Sequence, residues 1–464
     1  MPRHKMGDVV VLLPGITGSV LKKDDRVVWG YSAGTIAKTL LTFGASMARD
    51  VALPHDDPAV DGLGDGIIAD SLMPDLHLLP GVWKIDGYGR IVEAIKANFD
   101  VVEGENFFPF PYDWRRDNRV AARKLARAAY GWLATWREKS GNSSAKLVLI
   151  GHSMGGLVAR YFLECLEGWK TTRILVTFGT PYRGSLNALD GLANGIKKGP
   201  LELSAVARQL TALYQLLPIY ECYDAGDGRL LRVGETAGIP NVDAGKAAAA
   251  LAFHREIEAA VEANRRLSAH QANGYAIHPV VGVAQQTGLS ARRVGNRVEM
   301  LQTYKDEAYG GDGTVPRVSA IPIELSDVPA GATYAATQHG SLQNADAVIA
   351  HLTGLLSGLD LDLGAFRKPK INVALEVEDV VLADEPVVIR ARPGRRDVRL
   401  TAKMWCGGAS QPVAVSEMRP VADGWLTAEF SRPPAGVYRI KVSGDEVETA
   451  EDSLLVAEAG AHAP

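Results

Sequence analysis

Cysteine is scarce in this chain, and long apolar runs are missing from it. Three cysteines occur among 464 residues; they are far apart and odd in number, so a disulfide framework is not expected. No run approaches the roughly 18 uninterrupted apolar residues of a transmembrane helix. The first apolar run (9–13) is too short for a signal peptide and is typical of a strand. We therefore expect a cytoplasmic location, with peripheral membrane association as an open alternative.

A strong charge of one sign is also missing. The formal net charge is −4 at pH 7, which gives no argument for a nucleic-acid partner. Hydrophobic residues make up 47% of the chain and charged residues 22%, as in folded globular proteins. The glycine-containing loop LLPGITGS (12–19) lacks both a Walker lysine and a G-x-G-x-x-G pattern. We therefore expect no nucleotide, no other cofactor and no metal.

Strand-like and helical segments alternate through most of the chain. This alternation predicts an α/β fold with a doubly wound, mostly parallel sheet that is covered on both faces. Active sites of such sheets lie beyond the carboxyl ends of the strands. The candidate strands are 8–13, 106–110, 146–150, 173–178 and 278–283, and the candidate helices are 121–138 and 155–166.

The pattern changes after residue 366. Short alternating runs separated by turn residues follow from residue 370 onward, with no helical period. We expect a small all-β, immunoglobulin-like sandwich over 367–464, joined to an α/β domain (1–366) near 364–369. This sandwich is also a candidate surface for a protein partner.

Ser153 is the candidate nucleophile. It lies in KLVLIGHSMGGLVARY (146–161), where a β-rich run passes into apolar residues at helical spacing. Glycines at 151 and 155 leave room for close contact between strand and helix, as in the G-x-S-x-G nucleophile elbow. The alternative is an ordinary serine in a tight turn. The flanking strand and helix, together with Gly156, favour the nucleophile.

A serine hydroxyl becomes nucleophilic only when a histidine removes its proton and a carboxylate orients that histidine. YGGDGTVP (309–316) places Asp312 between glycines, and ATQHGSLQN (336–344) places His339 in a later loop. The order nucleophile, acid, histidine is that of the nucleophile-elbow hydrolases. Asp306 and Asp327 compete as acids and His351 as base, whereas His254, His270 and His278 precede the acid.

An oxyanion hole requires two backbone N–H groups that point at the developing charge. Met154, the residue after the nucleophile, supplies one of them. The loop after the first strand supplies the other, and we assign this donor to Ile16, with the neighbouring Thr17 as the alternative and a candidate substrate contact.

Six segments of the chain match one family in order: PGITGS, FPYDWR, GHSMGG, GTPYRGS, GDGTVP and QHGSLQN. Over about residues 8–356 the chain resembles the lecithin:cholesterol acyltransferase family, which includes lysosomal phospholipase A2 and the phospholipid:diacylglycerol acyltransferases. The resemblance implies an α/β-hydrolase domain and structural roles for Asp113 and Arg115. It also implies the same site residues: Ser153, Asp312, His339, Ile16 and Met154.

Two long insertions, at about 30–82 and 182–275, are expected to lie over the site. Each contains an apolar stripe at helical spacing. One interpretation is that both stripes pack on the hydrolase core. We favour a lid above a lipid-sized acyl pocket, formed by Ile36, Leu40, Phe43 and Met47 in the first insertion and by Leu210 and Leu213 in the second.

Together these features predict a serine esterase or lipase that cleaves acyl esters of glycerolipids through an acyl-enzyme, with a lipid or membrane surface as its substrate. Hydrolysis is favoured over transfer to an alcohol, because water at about 55 M intercepts the acyl-enzyme unless the site is dry. Two alternatives stay open. One is a carboxylesterase for non-lipid esters, and the other is a catalytically silent hydrolase scaffold that acts as a protein-interaction module.

Overall fold

A computed structural model of the chain provides the fold. It describes residues 3–30, 49–75, 77–78, 84–85, 87–198, 201–326, 332–357, 373–394, 398–407, 409, 411–444, 447 and 449–458. Several residues named above lie outside these ranges: Ile36, Leu40, Phe43, Met47, the competing acid Asp327 and the expected linker 364–369.

A six-stranded sheet forms the centre of the first domain, in the order β6-β5-β4-β3-β1-β2, and all five pairings are parallel. β1 and β3 are buried along their whole length, as strands covered on both faces must be. The predicted, mostly parallel α/β sheet is therefore confirmed. In chain order β1–β6 are Val9–Leu13, Phe107–Pro109, Leu147–His152, Thr172–Phe178, Ala276–Gly282 and Thr333–Ala335.

Helices accompany this sheet, and none in the described ranges is long and apolar enough to cross a membrane. The longest begins after Asp117, whose side chain accepts a hydrogen bond from Arg119 N, and it ends at the left-handed Gly141. The α-helices are Gly89–Asn98, Asn118–Ser140, Met154–Cys165, Leu186–Ala193, Ser204–Ala207, Thr211–Tyr214, Ala244–Arg265, Ser268–Asn273 and Asp346–Ser357. The 3₁₀ turns are Gly168–Lys170, Val233–Glu235, Ile323–Leu325, His339–Asn344 and Ala422–Gly424.

Shorter strands form small separate sheets. An apolar run (298–304) precedes Asp312 in the sequence, and its first part belongs to one of these sheets. There Ser290–Val294 and Arg297–Leu301 pair as an antiparallel hairpin outside the main sheet. The main-sheet strand that leads towards the acid is therefore β5, and the hairpin is inserted between them. The other short strands are His4–Lys5, Ser19–Lys23, Arg26–Trp29, Ile67–Leu72, His77–Leu78, Lys84–Ile85, Phe99–Asp100, Lys197–Lys198, Leu201–Glu202, Glu221–Asp224 and Leu230–Arg232.

The C-terminal residues form two sheets, in the orders β7-β9-β13-β12 and β8-β15-β14-β10-β11. Side chains from both sheets share one hydrophobic core. The short runs separated by turns predict an antiparallel sandwich, but one pair, β8 with β15, is parallel, so that prediction is wrong for this pair. In chain order β7–β15 are Val373–Val377, Val380–Leu382, Val387–Pro393, Thr401–Cys406, Ala414–Glu417, Arg419–Pro420, Leu426–Phe430, Gly436–Ser443 and Ala450–Ala457.

The second apolar stripe does not form one helix. Two one-turn helices flank Leu210, whose backbone is extended at φ −69 and ψ 111. Leu210 and Leu213 are 5% and 1% exposed and belong to the core of the first domain. These two residues therefore pack in the core of the first domain, as in the alternative to a lid.

The PYDWR segment holds a neighbouring loop in place. The Arg115 guanidinium is fully buried and donates through Nη2 to Asp113 at 2.7 Å and to Asp65 at 2.8 Å. Arg116 next to it pairs with Asp56 at 2.9 Å and donates to three backbone carbonyls between residues 57 and 61. These contacts support the structural role expected for Asp113 and Arg115.

His254 ties the longest helix of the second insertion to the core. Its Nε2 lies 2.8 Å from the Gln215 carbonyl oxygen, so Nε2–H is the donor. The ring is completely buried, and this desolvation lowers the pKa of His254 from 6.5 to about 4. The folded protein therefore holds His254 neutral under conditions in which the unfolded chain takes up a proton.

We predict that this histidine makes the fold sensitive to acid. Its contribution to stability is complete above about pH 6.5 and falls by about 1.4 kcal/mol per pH unit as the pH drops towards 4. Denaturant unfolding measured across this range should show a shallower loss for His254→Gln than for the wild type. His55→Gln, at an exposed position, is the control. Equal slopes for His254→Gln and the wild type would contradict the prediction.

Candidate active site

Ser153 occupies a strained turn between β3 and the helix Met154–Cys165. Its backbone angles are φ 51 and ψ −124, which a residue with a Cβ rarely adopts. Its N–H donates to the Phe178 carbonyl at 2.8 Å, and its carbonyl accepts from Thr180 Oγ1 at 2.9 Å. The turn is thus fixed by the neighbouring strand β4, and it presents the Ser153 hydroxyl at the carboxyl edge of the sheet.

Close packing explains why residue 155, two positions after Ser153, is a glycine. A Cβ on Gly155 would lie 2.5 Å from the Pro14 carbonyl oxygen and 2.6 Å from that of Leu13. The loop that follows β1 therefore passes directly over the start of this helix, and any side chain at position 155 would push the two apart.

Asp312 and His339 meet at the same edge of the sheet. Asp312 Oδ1 accepts from the backbone N–H groups of Thr314 and Val315 at 2.9 and 2.6 Å. Its other oxygen, Oδ2, lies 2.7 Å from His339 Nδ1. The His339 N–H also donates to the Asp312 carbonyl at 2.8 Å, so backbone and side chain fix the histidine together.

His339 completes the contact with the serine. Its Nε2 lies 2.9 Å from Ser153 Oγ. All three residues are buried: Ser153 is 4% exposed, Asp312 1% and His339 5%. Gly179, with φ +55, is adjacent: a Cβ there would lie 2.8 Å from Asp312 Oδ2 and 2.9 Å from His339 Nδ1. The structure thus brings the three sequence-predicted residues into one hydrogen-bonded chain.

The competing residues that the structure describes lie elsewhere. Asp306 is in an exposed turn with a positive φ of 65. His351 contacts Thr333 Oγ1 at 3.1 Å, His254 bonds to Gln215, and His270 packs edge-on against Trp169. His278 lies within β5.

The candidate oxyanion donors adjoin Ser153. Met154 is the first residue of its helix, where backbone N–H groups have no intrahelical partner. Gly15 comes so close that a Cβ there would be 2.9 Å from Ser153 Cβ, and Ile16 lines the cavity at Ser153. Thr17 has φ +63, and its carbonyl accepts from Trp29 Nε1 at 3.0 Å.

Tyr88 and His152 connect the loop after β1, which carries Gly15 and Ile16, to His339. Sequence reasoning missed both residues. The Tyr88 hydroxyl accepts from Gly15 N–H at 2.7 Å and lies 2.8 Å from His152 Nδ1. The hydroxyl donates to Nδ1, because His152 is neutral and its proton is on the opposite nitrogen. The opposite nitrogen, His152 Nε2, lies 3.1 Å from the His339 carbonyl and therefore carries the proton. Nothing in the sequence near residue 88 signals this long-range contact.

Burial keeps His152 neutral. Desolvation, with the nearby His339 as a smaller cause, lowers the pKa of His152 from 6.5 to about 3. Burial likewise raises the pKa of Tyr88, so its hydroxyl stays protonated. The donor and acceptor roles in the series of hydrogen bonds from Gly15 through Tyr88 and His152 to His339 are therefore constant near neutral pH.

The cavity at Ser153 is small. Its volume is about 10 Å³, enough for roughly one water molecule, and its walls are mainly apolar. The cavity that the described residues line at Ser153 is therefore much smaller than the expected lipid-sized acyl pocket. The lining residues are Ile16, Ser153, Pro181, Ser185, Ala188, Leu216, Thr314, Val315 and His339.

A serine at a strand–helix turn, with its acid and histidine on later loops of one parallel sheet, is the arrangement found in α/β-hydrolases. Comparison with known proteins shows which family the chain resembles. A model of the family described as lecithin:cholesterol acyltransferase matches residues 83–229. This match and the relatives below confirm the resemblance indicated by the motifs, and this family implies an α/β-hydrolase fold.

Three curated relatives align with part of the chain. Phosphatidylcholine-sterol acyltransferase of Gallus gallus is 30% identical over 119 residues, covering 25% of this chain and 28% of that protein. Lysosomal phospholipase A and acyltransferase of Homo sapiens is 26% identical over 153 residues (30% and 35%). Lecithin-cholesterol acyltransferase-like 4 of Arabidopsis thaliana is 29% identical over 197 residues (38% and 34%). The chain thus spans about a third of the length of these relatives.

We predict that Tyr88→Phe impairs turnover without abolishing folding. It leaves the buried Gly15 N–H and His152 Nδ1 unpaired and frees the loop that carries Ile16. Loss of one oxyanion donor costs about 10²–10³ in kcat, and a displaced loop should cost up to about 10². Steady-state hydrolysis of a short nitrophenyl ester measures this. Tyr130→Phe is the control, since that hydroxyl donates to Leu166 at the surface. Wild-type kcat in Tyr88→Phe would refute the coupling.

Proposed function

We propose that the protein is a serine-dependent carboxylic-ester hydrolase that acts on acyl esters of glycerolipids. The observation that carries the proposal is the hydrogen-bonded chain Ser153–His339–Asp312, with 2.9 and 2.7 Å between its polar atoms. An unused serine in a turn needs neither a strained backbone nor a buried, carboxylate-paired histidine beside its hydroxyl.

In the proposed reaction Ser153 Oγ attacks the ester carbonyl while His339 Nε2 takes its proton. Asp312 holds Nδ1–H and stabilises the imidazolium. The carbonyl oxygen becomes an oxyanion, which the N–H groups of Ile16 and Met154 stabilise. His339 then protonates the departing alcohol, which leaves an acyl-Ser153. Water attacks this ester and gives a proton to His339, which passes it to Ser153 Oγ as the acyl–oxygen bond breaks. The fatty acid leaves, and the free serine and neutral histidine are restored.

The lipid substrate is proposed from the relatives, whose names specify phosphatidylcholine and phospholipase activity. The apolar walls of the cavity at Ser153 are compatible with an acyl group. The same relatives are named as acyltransferases, so transfer to an alcohol is the second candidate. Transfer requires an acceptor that outcompetes water at the acyl-enzyme.

We also propose that the C-terminal domain is immunoglobulin-like. If β7 and β8 are the two parts of strand A and β9–β15 are B, C, C′, D, E, F and G, its sheets have the orders A-B-E-D and A-G-F-C-C′. These orders match the two sheets of the immunoglobulin fold.

The test combines covalent labelling with product analysis. A fluorophosphonate should label the wild type and the control Ser143→Ala, at an exposed position, but not Ser153→Ala, although all three fold alike. Mass spectrometry of a phosphatidylcholine and diacylglycerol dispersion should then show free fatty acid released by the wild type and by Ser143→Ala but not by Ser153→Ala.

Each other outcome identifies an alternative. Acyl chains that reappear on an added alcohol would indicate a transferase. Turnover of short soluble esters but of no lipid would indicate a carboxylesterase. Labelling that persists in Ser153→Ala would disprove the nucleophile, and no labelling or turnover at all would favour the silent scaffold.

A further inference from the structure

The C-terminal domain contacts the hydrolase domain through the edge of one strand. Among the described strands β7 pairs only with β9, so its other edge is available to groups outside the sheet. On that edge the Leu375 N–H donates to Gln285 Oε1 at 3.1 Å, and the Val373 carbonyl accepts from Gln285 Nε2 at 3.1 Å. One glutamine amide therefore pairs with the β7 edge as a neighbouring strand would.

Gln285 is attached to the loop that carries Asp312. Its own N–H donates to the Gly311 carbonyl at 3.0 Å. Its carbonyl accepts from Thr287 Oγ1 at 3.0 Å, and the same hydroxyl oxygen accepts from the Gly313 N–H at 3.0 Å. The residues on both sides of Asp312 are thus fixed to the segment that carries Gln285, whose side chain is buried against β7.

A second glutamine makes the equivalent contact for the histidine. Gln338 Nε2 donates to the Leu375 carbonyl at 3.1 Å, and Gln338 directly precedes His339 at the start of the turn His339–Asn344. The last strand, β15, also approaches this turn. Both polar backbone groups of Leu375 are therefore bound by side chains from the two segments that hold Asp312 and His339.

We infer that the C-terminal β domain is a working part of the active site, and that Gln285 and Gln338 are positioning residues that hold Asp312 and His339 in register. This inference rests on the proposed function. It assigns a role to a domain that lies outside the matched residues 83–229. It also means that the β7 edge is covered by the hydrolase domain, so that edge is not open to a strand from another protein.

The expected effect is kinetic because neither glutamine reaches Ser153. A misplacement of about 1 Å in a catalytic group can cost up to about 10² in rate. We expect Gln338→Ala and Gln285→Ala each to lower kcat for a short soluble ester by about tenfold, with KM within about twofold of the wild type. Because both glutamines bind the same strand, the double variant should lose less than the product of the two single losses.

A matched control and a second readout separate positioning from general destabilisation. Gln302→Ala removes an amide that donates to Gln286 Oε1 at 3.1 Å in the same region, and it should leave kcat unchanged. Hydrogen exchange reports the contact itself: the Leu375 amide should exchange faster in Gln285→Ala but not in Gln302→Ala. Gln338 is only half-buried, so its truncation should not prevent folding.

The outcomes distinguish this inference from the proposed function. A wild type that fluorophosphonate does not label would remove the proposed function itself. A labelled wild type with unchanged kcat in both Gln338→Ala and Gln285→Ala would overturn only the positioning role. Unchanged exchange of the Leu375 amide in Gln285→Ala would show that the described contact does not form in solution, and this would overturn it as well.

Discussion

The imidazole of His339 lies between the Asp312 carboxylate, 2.7 Å from Nδ1, and the Ser153 hydroxyl, 2.9 Å from Nε2. Two hydrogen bonds at opposite ends of one ring require three chain segments to converge within a few tenths of an ångström. The parallel sheet provides this convergence, since β3, β5 and β6 all end at the same edge. Gly179 shows how close the approach is, because even a Cβ there would contact both the carboxylate and the imidazole.

Polar contacts from several directions hold this arrangement. The Tyr88 hydroxyl and His152 join the loop of Gly15 to the carbonyl of His339. Gln285 and Gln338 join the other side of the site to the β7 edge. Such preorganisation has a cost: the strained backbone of Ser153 lowers the free energy of unfolding by about 1–3 kcal/mol. The burial of β3 and of the helix that follows it offsets this strain.

The reacting groups could be predicted from the sequence because their signals are local. The glycines around Ser153 follow from the strand–helix turn, and the chain order of Asp312 and His339 follows from the topology of the fold.

Other features depend on contacts between distant residues. The run before Asp312 has strand character, but its place in a separate hairpin is decided by packing. The spacing of Leu210 and Leu213 is compatible with a lid or with the core, and only burial distinguishes the two. The contacts of Tyr88 and Gln285 span 64 and 90 residues and leave no periodic trace.

The central claim is that the Asp312 carboxylate makes His339 a base towards Ser153. The most direct measurement is kcat for a short nitrophenyl ester in Asp312→Asn, with Asp306→Asn as the exposed control. Asparagine keeps the shape of the side chain but loses the charge and favours the wrong histidine tautomer. We predict a fall of about 10⁴-fold in Asp312→Asn and no change in Asp306→Asn. Near wild-type turnover in Asp312→Asn, or a comparable loss in Asp306→Asn, would contradict the account.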